Sequence, residues 1–153
     1  MIDTEDVPQP IVMGYGVATF LLNTGRALKA IELCKECLIF LNNKALGKEK
    51  QFCKIGYAAM YKTMFEAHCL LPDYTNAIKY GRKLLVIYHE WGETAAEGNL
   101  TVILADIYKQ QHKYEEAGEL YERAINILAE IGDREGQAVA YERFGRIDRK
   151  SVV

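Results

Sequence analysis

Proline is scarce in this 153-residue chain. Its three prolines, Pro8, Pro10 and Pro72, all lie before Asp73. Inside a helix, proline removes a backbone hydrogen bond and clashes with the preceding turn, so the stretch beyond Pro72 is free to be helical throughout. Long apolar runs are also missing. None approaches the roughly 18 residues a membrane span needs. Neither charge sign dominates, with 19 Lys and Arg against 21 Asp and Glu. That balance argues against general nucleic-acid binding, which needs a field of basic residues to displace counterions. The opening MIDTEDVPQP is acidic and lacks the basic and apolar regions of a secretory signal. There is no GxGxxG or phosphate-binding loop, and Gly14-Tyr15-Gly16 is too little to cradle a phosphate. His68, His89 and His112 are scattered, the first at a packing place and the last in a turn, so neither of those two suits a catalytic base.

The four cysteines, Cys34, Cys37, Cys53 and Cys69, sit inside apolar periodic segments. Cys34 and Cys37 form a C-x-x-C, but a redox pair needs its first thiol at a helix N-terminus after a strand. A zinc site would add Cys53 and Cys69, and gaps that long match no compact zinc module. Buried, reduced thiols in an intracellular, cytoplasmic protein are the expectation. No metal, cofactor or enzymatic activity is expected.

Half of the residues are apolar and 26% are charged, as in a folded domain with a substantial core. Apolar residues recur at helical spacing, and the clearest unit is a pair of segments. EGNLTVILADIYKQQH (Glu97 to His112) is followed, after a polar break at Gln111 to Lys113, by KYEEAGELYERAINILAEIGD (Lys113 to Asp133). Neither can bury its apolar face alone, so the two read as a helical hairpin that needs neighbours.

The rest follows the same pattern. Residues 1–10 read as a tail. Ile11 to Asn23 is apolar at nearly every position and reads as a helix covered by the tail or by a partner subunit. Helices are then expected over Arg26 to Leu46, ended by Gly47, and over Lys48 to Leu71, closed by Pro72-Asp73. Others follow over Tyr74 to Trp91, Glu93 to Gln111 and Lys113 to Ile131. A seventh, Asp133 to Lys150, bears Ala138, Tyr141, Phe144, Gly145 and Ile147 and has no second half.

Aligning the hairpins on Ala30, Ala77 and Ala117 gives spacings of 47 and 40, and Ala18, Phe65, Ala105 and Gly145 give 47, 40 and 40. LLVIYHEWGETAAEGNL and INILAEIGDREGQAVAY repeat the same phrase of apolar run, glycine, acid and small-residue helix start. Helices approach closely only where side chains are short, so Ala105 and Ala117 mark a crossing, with Tyr108 and Tyr114 filling space beside it. Tyr121 and Ala124 form the surface for the next hairpin.

These residues resemble the tetratricopeptide family, specifically its longer variety of roughly 40 residues per repeat found in Pins/LGN-type scaffold proteins. The third repeat carries the pattern best, in Thr101, Leu104, Ala105, Tyr108, Tyr114, Ala117, Tyr121 and Ala124. The second offers Tyr61, Met64, Phe65, His68, Tyr74, Ala77, Gly81 and Leu84. The ends are partial. The resemblance implies an all-α, right-handed superhelical solenoid of antiparallel hairpins over residues 11–150, with three hairpins plus an unpaired seventh helix.

The resemblance further implies a non-catalytic scaffold or adaptor that binds a partner peptide in a concave groove lined by each hairpin's first helix. Groove candidates are Tyr15, Thr19, Lys62, Glu66, Asn99, Val102, Asp106, Lys109, Glu142, Arg146 and Arg149. Glu66 and Asp106 would repel a C-terminal carboxylate, so a clamp for that group is not expected. Taken singly, each of these charges reads more simply as part of a solvated face, Lys62–Glu66 being a common i, i+4 pair, whereas the groove as a whole reads as a binding surface. The alternative is a self-assembly module associating through exposed end helices as a homodimer, with Tyr141 and Phe144 on the unfinished last helix as candidates.

Overall fold

The computed structural model of the chain describes residues 8–44 and 53–151, with the side chains of Lys44 and of 148–151 outside the description. Seven helices and no strand occur among the described residues: α1 (Gln9–Asn23), α2 (Ala27–Lys44), α3 (Cys53–Leu70), α4 (Tyr74–Glu90), α5 (Thr94–Gln110), α6 (Tyr114–Glu130) and α7 (Arg134–Ser151). Helix α1 starts at Gln9, so Gln9 and Pro10 are helical rather than tail, and Pro10 sits in the first turn, where its missing N–H costs nothing. The expected stop at Gly47 lies outside the described residues.

One capping geometry recurs between helices. The N–H of Arg26, Asp73, Glu93, Lys113 and Asp133 donates to the carbonyl of Leu21, His68, Tyr88, Tyr108 and Leu128 respectively. This is the six-to-one bond of a Schellman motif, and the residue just before each donor takes a positive φ. Those residues are Gly25 at 79°, Pro72 at 24°, Gly92 at 69°, His112 at 62° and Gly132 at 70°. The accepting carbonyls are spaced by 47 residues and then by 20, 20 and 20. The backbone therefore repeats the interval carried by the alanines, with one helix and one turn per half-period.

The chain divides into two compact units, Met1–Leu84 and Leu85–Val153. In the first, α1 packs on α2 and α3. A Cβ at Gly14 would lie 2.5 Å from Cys37 Sγ, and one at Gly56 would lie 3.0 Å from Leu41 Cδ2 and 3.2 Å from Ile11 Cγ2. Ala18, Ala30, Cys34, Leu41, Met60 and Met64 are fully buried between these helices. Beside them runs an aromatic row. Tyr57 meets Tyr61 at 5.8 Å, Tyr61 meets Tyr80 at 6.0 Å, and His68 stacks on Tyr80 at 5.7 Å. The ammonium of Lys83 lies over both Tyr61 and Tyr80.

Within the single chain, α1 is packed on one side only. Its inner face is buried through Ile11, Gly14, Ala18 and Leu22. Its outer face leaves Val12 47%, Met13 63%, Val17 50% and Phe20 62% exposed.

In the second unit, α6 packs on α5 and on α7. Ala105 and Ala117, expected at the hairpin crossing, and Tyr121 and Ala124, expected as the surface for the next hairpin, are all wholly buried. Of the residues noted on α7, Phe144 and Ile147 turn inward. Ala138 and Tyr141 point to solvent, whereas Ala140 and Ile147 are buried and Phe144 is half-buried, with one ring carbon 3.3 Å from where a Cβ on Gly118 would be. The start of α7 is capped by Asp133, whose Oδ1 accepts the Gly136 N–H at 2.9 Å.

Candidate interaction face

Within the second unit, α5 presents an outward stripe at Asn99, Ile103, Asp106 and Gln110, spaced by four, three and four. Asn99 and Gln110 are exposed, Asp106 is half-buried, and Ile103 is 43% exposed, a large apolar side chain among polar ones. Val102, expected on this face, is 7% exposed and packs inward, so it leaves the candidate set. Lys109 is half-buried at the edge of the stripe.

Asp106 organises the face. Its Oδ1 accepts the Tyr121 hydroxyl from α6, and its Oδ2 accepts the Arg143 guanidinium from α7. One carboxylate thereby ties three helices together. Tyr121 is fully buried; burial first, and the hydrogen bond to Asp106 second, push its phenol well above the usual tyrosine range, so it stays a donor. Arg143 matches the Asp106 charge, which offsets the repulsion of a carboxylate expected from that residue. Further along α7, Arg146 donates to Glu142 at 2.6 Å, with both side chains 63% exposed. Arg143 and Arg146 are thus each paired. Tyr141 is 57% exposed.

The sequence reading missed a second carboxylate, Glu97. It is 7% exposed, with Oε1 3.2 Å from His89 Nδ1 and 3.8 Å from an Arg123 guanidinium nitrogen. This buried carboxyl is reached by the solvent-exposed His89 imidazole and Arg123 guanidinium. Between α6 and α7, a cavity of about 330 Å³ is lined by Tyr114, Glu115, Gly118, Glu119, Glu122, Phe144 and Ile147.

In the first unit Lys62 and Glu66 are both exposed on α3, Tyr15 is exposed on α1, and Thr19 is half-buried with its hydroxyl on the Tyr15 carbonyl at 2.8 Å. Arg149 lies outside the described side chains. Burial pushes the Cys34 thiol up to about 12 and that of Cys69 to about 11, and raises Cys37 as well. These are the opposite of activated thiolates. Among the described residues, no group of three or more His, Cys, Asp or Glu could hold a metal ion, and no helix is long and apolar enough to cross a membrane.

Comparison with known proteins locates the repeat and the fold. Residues 94–151, the span of α5 to α7, match the family model of the tetratricopeptide repeat. That is where the sequence pattern is plainest. A Podosopora anserina protein described as a kinesin light chain with nearly identical TPR-like repeats superposes with a TM-score of 0.64 at 17% identity, covering 92% of this chain and 67% of its own. A single-residue variant of that protein gives a TM-score of 0.65 at the same identity and coverage. The fold is accordingly that of a TPR-like repeat solenoid. No curated protein matches the chain in sequence.

Proposed function

We propose that this chain is a non-catalytic scaffold for protein–protein interaction, working in the cytoplasm, and that the face shared by α5 and α7 grips an extended partner peptide. Tetratricopeptide repeats are in general interaction modules, and the match to that repeat covers this face. The repeat length of the Pins/LGN-type scaffolds fits the same role. One observation carries the reading. Ile103 stands exposed on one stripe with Asn99, Asp106 and Gln110, where Asp106 is held by Arg143 and by the buried Tyr121 hydroxyl. A rigid polar frame around one apolar contact suits a ligand held by its own apolar side chain and by backbone hydrogen bonds. A terminal carboxylate is a poorer match, since Arg143 and Arg146 are already paired.

The test is selection of random peptides by the whole chain. Enriched peptides should share an apolar residue, and Ile103→Asp should remove their binding while leaving the unfolding midpoint unchanged. Peptides that bind Ile103→Asp equally well would refute the assignment.

A second reading, self-assembly through end helices, is favoured by the apolar side chains that α1 and α7 leave in solvent, including Tyr141 and Val139 on α7. Phe144 serves it less well, being packed toward Gly118. Loss of association in Tyr141→Ser, measured by light scattering, would place that contact on α7.

A further inference from the structure

We infer that α1 is the interface of a two-fold symmetric homodimer, in which two copies of α1 pack antiparallel across Gly16 and Val17, with Met13 of each copy against Phe20 of the other. The inference rests on the second reading above and moves its contact from α7 to α1. Helix α1, QPIVMGYGVATFLLN, has no charged residue. Around the helix, Val12, Met13, Gly16, Val17 and Phe20 fall on one exposed arc, opposite the buried Ile11, Gly14, Ala18 and Leu22.

Gly16 lies near the middle of that arc, and a Cβ built on it would meet nothing within 4 Å. A second helix can therefore come close at this point, with larger side chains interlocking on either side. Next to the arc, a hollow of about 470 Å³ between α1 and α2 is lined by Gln9 and otherwise by Pro10, Met13, Gly14, Val17, Leu33 and Cys37, and is largely apolar. It is large enough to take a Met or Phe side chain from a facing copy.

The lack of charge selects the occupant. A charged partner face would be desolvated against α1 with no counter-charge to compensate it. The sequence segment Met1 to Val7 carries Asp3, Glu5 and Asp6 and is no better match. A second α1 is neutral and apolar by construction, and a two-fold axis presents the same patch to itself. In such a pairing, residues 13 and 20 are equidistant from the axis, which brings a flexible thioether against an aromatic ring. The exposed apolar side chains offer on the order of 500 Å² per copy, or about 1,000 Å² for the pair, at the threshold for a specific interface.

The experiment is light scattering of the full chain across micromolar concentrations, alone and with Met13→Glu, Phe20→Glu and Tyr141→Ser. The expected result is a dimer for the unaltered chain, weakened at least about tenfold by either glutamate and untouched by Tyr141→Ser. Both α1 side chains are largely exposed, so helical content should not change. Should either glutamate variant fold poorly, Gly16→Cys decides. Under oxidation it should give a disulfide-linked dimer, whereas Phe20→Cys, displaced from the axis, should not. A monomeric unaltered chain overturns the inference, as it would if another protein were the occupant, and overturns self-assembly with it. A dimer that resists both glutamates but yields to Tyr141→Ser overturns the α1 interface alone.

Discussion

If Asp106 is the tie between α5, α6 and α7, replacing it should cost stability before it affects any ligand. Asp106→Ala leaves the buried Tyr121 hydroxyl without its acceptor, a loss of about 1–3 kcal/mol. The Arg143 pair goes with it. Those side chains are 38% and 25% exposed, so solvent screens the pair and its share is about 0.2–1 kcal/mol. The expected total is about 1–4 kcal/mol. Tyr121→Phe alone should cost about 1 kcal/mol, because Asp106 keeps Arg143 and some solvent. In the double variant no orphan hydroxyl remains, so the two effects should fall short of adding by about 1–2 kcal/mol. Urea unfolding followed by Trp91 fluorescence reads this directly, since Trp91 is the chain's single tryptophan and lies in the second unit. An Asp106→Ala cost below about 0.5 kcal/mol, or strict additivity, would refute the reasoning and return Asp106 to the status of a solvated face charge.

Other expectations concern packing, protonation and turns. Gly14→Ala places a Cβ 2.5 Å from Cys37 Sγ and should cost about 1–3 kcal/mol, with partial rescue when Cys37→Ala is added; thermal melts of the single and double variants check this. His68 is buried against Tyr80, and burial lowers its pKa below the ordinary 6.5, with Lys35 and Lys79 acting the same way and Asp73 opposing. The unfolded chain then binds the proton more readily, so stability should fall as pH drops through 6.5 toward the lower folded value. Urea midpoints at neutral and mildly acidic pH should show that loss, and His68→Phe should remove it. Asp73, held below 3.8 chiefly by the Asn76 side-chain amide, adds its own loss only in more acid solution. His112→Gly, at a φ of 62°, should raise stability by about 0.5–1 kcal/mol even though it gives up the 2.8 Å contact with the Tyr114 hydroxyl; an unchanged or lowered melting temperature would count against this. Alkylation of the native chain should be slow at Cys34 and become fast only on unfolding.

How legible each feature was in the sequence depends on how local its cause is. Ala105 and Ala117 could be read in advance because a close helix crossing demands small residues at a fixed interval, and Tyr121 and Ala124 followed as the surface for the next hairpin; all four are wholly buried. Val102 was misplaced by a single helical step. It precedes Ala105 by three residues and shares its inward face, whereas Ile103 aligns with Asn99, Asp106 and Gln110. The assignment of Ala105 to the crossing already held that signal. The partnership of Asp106 with Arg143 spans 37 residues and has no local trace, so an outward-facing aspartate read as a lone charge. Glu97 hid in the same way, because nothing in EGNLTVIL marks a buried carboxylate. For α1, a continuous apolar run shows that the helix seeks cover on both sides, but only the fold shows which side obtained it.

The turns show which level of structure sets the period. Helices α4, α5 and α6 each have 17 residues and each end in the same six-to-one bond, although the left-handed position after them is glycine in two cases and histidine in the other. Local preference would have put glycine at all three, since a side chain there costs about 1–2 kcal/mol. The strained histidine persists because the helices on either side are fixed in register elsewhere, by the Ala105–Ala117 crossing and by Tyr121 on Asp106. Tertiary packing thus sets helix length and the caps conform to it, as expected when each hairpin gains its stability from its neighbours. By the same logic a helix with one face packed and one bare is where a further contact gains most, and α1 is such a helix.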